Sequence, residues 1–384
     1  MRILHTSDWH LGRSFHRVGM LEHQATFVDH LVEVIEAERV DLVVVAGDVY
    51  DRALPPVDAV ALADEALARL AASRATVVIS SGNHDSAQRL GFSSRLIDAA
   101  GVHLRTDPAG VGRPVVLHDP YGEVAVHALP YLDPIALHEP WRLPVRSHEA
   151  AVAEAMRRVR ADLAARPARS VVLAHAFVAG AQPSESERDI SVGGVSLVPT
   201  CLFDGVTYTA LGHLHGQQVL HDAVRYSGSP LAYSFSEAGH VKGCWLVDLG
   251  PEGLTSAEFV PAPVPRPLAR LTGTLSDVLA DPAHAWAERA WVQVTLTDAE
   301  RPVRAMERIQ ARFPHALELA FTPSGERAER RRRASLPHRP GHEIAGDFVR
   351  EMRGSPATPA ERSLLVAAFD ACGDDPDADP PERP

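Results

Sequence analysis

Leu42-Val43-Val44-Val45-Ala46-Gly47-Asp48-Val49-Tyr50-Asp51 sets an unbroken apolar run directly before a glycine and two acidic residues. Such a run, rich in β-branched residues, reads as a strand buried on both faces, as in a parallel sheet packed between layers. In sheets of that kind, ligand sites collect in the loops just beyond the carboxyl ends of the strands. Here the first acidic residue past the run is Asp48. The arrangement recurs along the chain: residues 3–6 run into Asp8-Trp9-His10, and 76–80 into Gly82-Asn83-His84-Asp85. Further on, 170–174 runs into His175, and 208–211 into Gly212-His213-Leu214-His215. Residues 124–128 and 245–248 are further strand candidates. Between the first two strands, residues 21–38 place Phe27, Leu31, Val34 and Ile35 at helical spacing, and 57–72 reads the same way. Strands alternating with helices specify an α/β core, and the later short strands predict a second, antiparallel portion.

The chain of 384 residues suits two or three domains, and its 45% apolar content supplies a sizeable core. A formal net charge of -12 argues against nucleic-acid binding through bulk positive charge, although bound metals and a local arginine surface can offset the field. The basic residues are almost all arginine, with Lys242 the single lysine. Cys201, Cys244 and Cys372 are scattered and form no Cys-X-X-Cys pair, which speaks against a disulfide framework or a thiolate zinc site. The first residues have no signal-peptide pattern, and no apolar run approaches the ~20 residues that span a bilayer. A soluble, cytoplasmic protein is expected.

After Pro261-Ala262-Pro263-Val264-Pro265 a smaller unit follows, with strands at 291–296 and 316–321 and a helix at 303–313. A basic linker carries Arg330-Arg331-Arg332-Arg333. Beyond it, 343–352 and 359–371 read as two short helices. Their apolar residues (Ile344, Phe348, Met352; Leu364, Leu365, Phe369) have too little sequence around them to form a core, so a partner is expected. The acidic, proline-rich end reads as disordered. The expected divisions are 1–262, 263–322, 323–340 (linker), 341–371 and 372–384 (tail).

The five motifs supply carboxylates, an amide oxygen and imidazoles, all at strand ends. Singly, each is also an ordinary turn or surface pair; the ordered set points to two divalent cations held about 3.5–4 Å apart, which activate water and stabilise the leaving oxygen of a phosphodiester. Asp48 is the candidate bridging carboxylate. Asp8 and His10 would approach from one strand end, Asn83 would add a neutral oxygen, and His175, His213 and His215 imidazole nitrogens. This mixed donor set suits manganese, iron or zinc better than magnesium or calcium. His84 is placed to contact the scissile phosphate and protonate the leaving oxygen, with Asp85 fixing its ring and Asp51 steadying His84 or supporting a ligand. Arg13 and Arg17 are candidate phosphate contacts. His5, His16, His23, His103, His118, His127, His221 and His240 are read as non-ligands.

With Asp-X-His, Gly-Asp-X-X-Asp, Gly-Asn-His-Asp, a lone His and Gly-His-X-His in order, the chain resembles the calcineurin-like metallophosphoesterases. More narrowly it resembles the SbcD-type nuclease subunits of bacterial SbcCD complexes, on residues outside the shared signature. These are Thr6-Ser7, Leu11-Gly12, Pro55-Pro56, Gly180-Ala181, Ser184-Glu185-Ser186-Glu187-Arg188, Val192-Gly193-Gly194, Tyr226-Ser227-Gly228-Ser229-Pro230 and Tyr233-Ser234-Phe235-Ser236-Glu237. The resemblance implies an α/β fold, a β-sandwich flanked by helices, with a small α+β capping domain at 263–322 and partner-binding helices at the end. It implies Asp8, His10, Asp48 and His215 on one metal and Asp48, Asn83, His175 and His213 on the other, with His84 catalytic. It also implies two manganese ions, 3′-to-5′ exonuclease and endonuclease action on DNA, and a homodimer joined to an SbcC-type ATPase as a heterotetramer. Action on the nucleoid in DNA repair, recombination and replication would follow. A small-molecule or cyclic-nucleotide phosphodiesterase on the same scaffold is the alternative; an inactive scaffold of the ATPase complex would not need the intact ligand set.

Overall fold

The computed structural model describes residues 1–190, 197–323, 340–353 and 355–373. Val192-Gly193-Gly194, the four-arginine linker and nearly all of the acidic tail lie outside them. The main body runs β1 (Arg2–Thr6), β2 (Ser14–Phe15), β3 (Val18–Gly19), α1 (Leu21–Ala37), β4 (Leu42–Ala46), α2 (Val57–Ala72), β5 (Thr76–Ser80), α3 (Ala87–Leu90), α4 (Ser94–Ile97) and β6 (Val102–Arg105). It continues through β7 (Val115–Asp119), β8 (Gly122–Ala128), α5 (Pro134–Trp141), α6 (His148–Ala165), β9 (Arg169–His175), β10 (Tyr208–Gly212), β11 (Gln218–His221), β12 (Val224–Tyr226), β13 (Gly243–Gly250) and β14 (Gly253–Pro261).

Two six-stranded sheets, ordered β14-β13-β1-β4-β5-β6 and β11-β12-β10-β9-β8-β7, stack face to face. Strand alternation divides the work between faces. In β4, Leu42 and Val44 point between the sheets, toward Val126, Val171 and Leu173 of the second sheet. Val43 and Val45 point outward beneath α1 and α2, against Leu31, Ile35 and Leu70. On the far side, Val172 and Leu211 pack under α6 with Val152, Met156 and Val159. The result is a four-layer α-β-β-α sandwich, and both faces of the central strands are dry, which is why they read as continuous apolar runs.

The second sheet differs from the antiparallel portion expected from sequence. Its centre, β8-β9-β10-β12, is parallel, and only the edge hairpins with β7 and β11 pair antiparallel. The cause is connectivity. The β8-to-β9 link passes through α5 and α6, and a crossover of that length returns the chain to the same edge direction. Parallel pairing sends β1, β4, β5, β9 and β10 out of the sandwich at the same end, which gathers the motifs.

The smaller unit contains β15 (Leu268–Gly273), α7 (Leu275–Ala280), β16 (Trp291–Leu296), α8 (Ala305–Arg312) and β17 (Ala316–Phe321). Here too the α+β expectation is refined: the three strands pair in parallel, because a helical segment separates each from the next. The unit has its own core of Leu271, Val278, Val292, Val294, Ile309 and Phe313. It docks on the main body through Trp291, which joins Phe15, Met20, Tyr233 and Phe235 in one apolar cluster. Finally α9 (Gly341–Arg353) and α10 (Pro359–Gly373) form a hairpin clasped by an Arg353–Glu361 ion pair of 2.7 Å. Ile344, Phe348 and Met352 are 56%, 63% and 71% exposed, at helical spacing along one stripe of α9.

The two sheets pinch together at Gly212, where an added Cβ would lie 1.9 Å from the Ala46 carbonyl oxygen, backbone that cannot give way. Gly212→Ala is therefore expected to cost about 1–3 kcal/mol in urea unfolding, the range for overpacked cores; a change within about 0.5 kcal/mol, the ordinary surface range, would contradict this account of the sandwich.

Candidate metal centre

Past the strand ends the chain turns through backbone conformations that residues with a Cβ seldom adopt. Asp8, His10, Asp48 and His213 have φ of 54°, 47°, 51° and 104°. Each such residue costs on the order of 1–3 kcal/mol and persists only where surrounding structure fixes it. Here the fixing bonds are visible. Asp8 N–H donates to the Gly47 carbonyl at 3.0 Å, His10 N–H to that of Asp48 at 3.0 Å, and Leu11 N–H to that of Val49 at 2.9 Å. His213 N–H donates to both Asp8 carboxylate oxygens, at 3.0 and 3.1 Å. Gly82 is required by a close approach, since a Cβ there would stand 2.2 Å from Asp48 Oδ1.

This backbone brings all seven expected ligands together on one floor around Asp48, all buried except the half-buried Asn83. Asp8, His10 and His215 form one group whose donor atoms lie within 4.8 Å of one another, and Asp8, Asp48 and His175 form another. His10 Nε2 and His215 Nε2 are 3.0 Å apart, and Asp48 Oδ2 is 3.7 Å from His10 Nε2. On the other side Asn83 Oδ1 is 2.9 Å from His175 Nε2 and 3.2 Å from His213 Nδ1, while Asp48 Oδ2 is 3.3 Å from His175 Nε2. None of the histidines read as non-ligands enters these groups. His5, for instance, is engaged by the Tyr208 hydroxyl and the Leu211 carbonyl.

The electrostatics follow from burial. Desolvation holds His10 and His213 well below the ordinary histidine range, and lowers His84 as well. Burial, with the charge of Asp48 nearby, lifts Asp8 to about 6. Burial would also raise Asp48, but the positive charge of His175 and its hydrogen bond hold it well below the carboxylate range. Burial opposes a proton on His175, yet Asp48 and Asp8 outweigh it and lift this histidine to about 9.

The residues fit divalent cations. His175 Nδ1 donates to the Ala46 carbonyl at 2.9 Å, so its Nε2 turns toward Asp48 and Asn83 oxygens, both acceptors. Three lone-pair atoms converging without a donor need a proton or a cation between them. The nitrogen and oxygen donors, with no thiolate, suit a borderline divalent ion.

One expected role changes. Asp85 does not orient the His84 ring; its carboxylate accepts the backbone N–H groups of Val49, Tyr50 and Gly82 at 3.1, 2.8 and 2.9 Å. It ties the two motif loops together, and burial beside Asp48 lifts it to about 7. The ring of His84 is held instead by the Asp51 backbone carbonyl, 2.7 Å from Nδ1, while the His84 backbone N–H donates to Asp48 Oδ1 at 2.8 Å. The Asp51 side chain lies 3.7 Å from both His10 Nδ1 and Arg13 Nε. Backbone acceptors carry no residue-type signal, so sequence could not reveal this arrangement.

An open cleft of about 460 Å³ leads to the centre, lined by Arg13, Ser14, Asp51, Arg52, His84 and Arg188. Arg13 is there as expected, stacked over Tyr233 at 5.0 Å and donating to the Ser186 carbonyl at 2.8 Å. Arg17 does not line the cleft. Arg52 and Arg188, which sequence reading passed over, do.

Residues 1–217 match the family model for calcineurin-like phosphoesterase. The chain belongs to that family. This phosphoesterase also matches, over residues 264–352, the model described as type 5 capsule protein repressor C-terminal domain, the SbcD C-terminal model. The two in tandem support an SbcD-type subunit and a metal-dependent phosphoesterase. Among solved structures it is similar to TT1561 of Thermus thermophilus, at 12% identity and a TM-score of 0.41, over 67% of this chain and 98% of that one. It is also similar to GAP50, the anchor in the inner membrane complex of Plasmodium, at 13% identity and 0.39, over 84% and 98%. A third is the calcineurin-like phosphoesterase YfkN from Bacillus subtilis, at 13% identity and 0.32, over 67% and 90%. Among the described residues, no helix of this phosphoesterase is long and apolar enough to cross a membrane.

The proton balance yields a pH dependence. In the metal-free protein His175 keeps its proton until about pH 9 and Asp8 until about pH 6, so an incoming cation must displace them. Apparent manganese affinity, measured by titration calorimetry in buffers of different ionisation heat, should rise from pH 6 to 9 by up to about tenfold per unit as the His175 proton is displaced, and more steeply below pH 6, where Asp8 holds one too. An affinity flat across that window would show that no buried proton is released.

Proposed function

We propose that the protein is a manganese-dependent DNA nuclease, a 3′-to-5′ exonuclease and endonuclease, that works as a homodimer with an SbcC-type ATPase on DNA ends in the cytoplasm. The observation that carries this reading is the tandem of matches, a phosphoesterase at 1–217 followed by the SbcD C-terminal model at 264–352. The exposed apolar stripe of α9 supports a macromolecular partner, which a stand-alone phosphodiesterase of small molecules has no need of. In this reading residues 1–262 do the chemistry, 263–322 cap it over DNA, and 341–371 dock on the ATPase.

Asp8, His10, Asp48 and His215 would hold one manganese, and Asp48, Asn83, His175 and His213 the other. When bound, the metals supply a Lewis-acidic pair that lowers the pKa of water and takes up charge on the phosphate. The protein's own groups do the rest. Arg13, Arg52 and Arg188 at the cleft offer guanidinium forks for phosphate oxygens. His84, with Nδ1 held by the Asp51 carbonyl, has Nε2 left for substrate. Burial keeps it neutral until the anionic phosphate arrives and raises its proton affinity, after which Nε2–H can pass a proton to the leaving oxygen.

Purified protein with manganese should shorten a labelled linear duplex. His84→Ala should lower the rate by about 10²–10⁴-fold, the range for general acid catalysis, while still binding metal. Normal cleavage by His84→Ala would refute the proton-transfer role. Turnover of bis-p-nitrophenyl phosphate with no DNA cleavage, even with the ATPase present, would favour a small-molecule phosphodiesterase.

A further inference from the structure

The single lysine of this arginine-rich chain is buried directly behind the metal centre, and nothing in the phosphoesterase chemistry above uses it. Lys242 is 8% exposed, and its three ammonium hydrogens are matched by three acceptors. It donates to the His215 carbonyl at 2.7 Å, to Ser229 Oγ at 3.0 Å and to Glu237 Oε2. Ser229 is an acceptor here because its own proton goes to the Leu231 carbonyl at 2.7 Å. Glu237 is 1% exposed, and its second oxygen accepts the Tyr233 N–H at 3.2 Å and the Ser186 hydroxyl at 2.6 Å.

These bonds have a direction. Ser186 has one hydroxyl proton and three oxygen or nitrogen neighbours: Glu237 Oε1 at 2.6 Å, His215 Nδ1 at 2.6 Å and Ser184 Oγ at 2.8 Å. The carboxylate can only accept, and it is a stronger acceptor than the longer contact to Ser184, so the Ser186 proton goes to Glu237. Ser186 Oγ must then accept at His215, which places the imidazole proton on Nδ1. The lone pair falls on Nε2, the nitrogen that stands 3.0 Å from His10 Nε2 inside the ligand group. The same Ser-Glu-Ser-Glu segment secures the histidine backbone, since Glu187 Oε1 accepts the His215 N–H at 2.7 Å.

We propose that Lys242, Glu237 and Ser186 form a one-way hydrogen-bond relay that locks His215 as an Nε2 ligand, so that all three are positioning residues for one of the two metal sites. The relay rests on the reading that His215 ligates a metal. It predicts selectivity: loss of the relay should weaken the site that contains His215 and spare the one built on Asn83, His175 and His213.

The test is a manganese titration of the full chain, followed by calorimetry and by the electron paramagnetic resonance of free ion. Wild type should show two binding steps, and His215→Ala should lose one of them. Ser186→Ala should weaken that same step by about 10–100-fold, the usual effect of removing an outer-shell partner, with the other step within about twofold. Ser186→Thr, which keeps the hydroxyl, should restore it. Glu237→Gln should be the more damaging change. Beside Lys242 the amide would turn its oxygen to the ammonium and its NH₂ to Ser186, so that the Ser186 O–H turns to donate to His215 Nδ1 and the single imidazole proton sits on Nε2. If Glu237→Gln fails to fold, Ser186→Ala decides, because it leaves the Glu237–Lys242 pair intact.

Two wild-type steps in Ser186→Ala, alongside a lost step in His215→Ala, would overturn the relay alone. Equal weakening of both steps with a lowered melting temperature would also overturn it, as a merely structural effect. Two unaltered steps in His215→Ala would overturn the relay together with the ligand assignment beneath it.

Discussion

Two carboxylates, Asp8 and Asp48, are buried at the ends of neighbouring strands, 0% and 2% exposed, with histidines as their close companions. Burying an unpaired charge costs several kcal/mol even after relaxation, so a cation has to compensate them, and the rest of the main body follows from that requirement. Parallel pairing is what brings five strand ends to one edge of the sandwich. The left-handed turns at Asp8, His10, Asp48 and His213 then aim side chains inward at a cost the packed sheets can carry. In the metal-free protein the proton on His175 provides part of the compensation.

Support for this floor comes from three directions. Asp85 ties the Gly82 loop to the Val49–Tyr50 backbone from below. From the side, the 184–187 segment brackets His215 and is itself held by Arg13 at the Ser186 carbonyl. Above, the smaller unit reaches the centre through aromatic contacts. Trp291 packs on Phe15 at 5.1 Å, Phe15 on Phe235 at 5.0 Å, and Tyr233 lies against His10 at 5.6 Å. The smaller unit thus packs into an apolar cluster whose Tyr233 lies against His10.

Much of this was legible in the sequence, for a definite reason. Central strands buried on both faces leave unbroken apolar runs, and ligand chemistry restricts residue type, so β1, β4, β5, β9 and β10 and their motifs announce themselves. What stayed hidden depends on partners that are distant or generic. The parallel centre of the second sheet is a matter of connection handedness rather than of strand pattern. The role of Asp85 turns on three backbone N–H groups, which any residue supplies. Ser186, Glu237 and Lys242 meet only in the folded chain, although a lone lysine in a chain otherwise reliant on arginine was a signal that could have been followed. Arg188 sits beside the cleft because the 184–187 segment folds back over His215, a contact with no local signature.

In the proposed reading Asp48 would be shared by two metals on this floor. Anomalous diffraction from crystals of the full chain soaked in manganese tests it most directly. Two peaks are expected about 3.5–4 Å apart, with Asp48 between them, one beside Asp8, His10 and His215, the other beside Asn83, His175 and His213. A single peak, or two peaks that do not share Asp48, would contradict it.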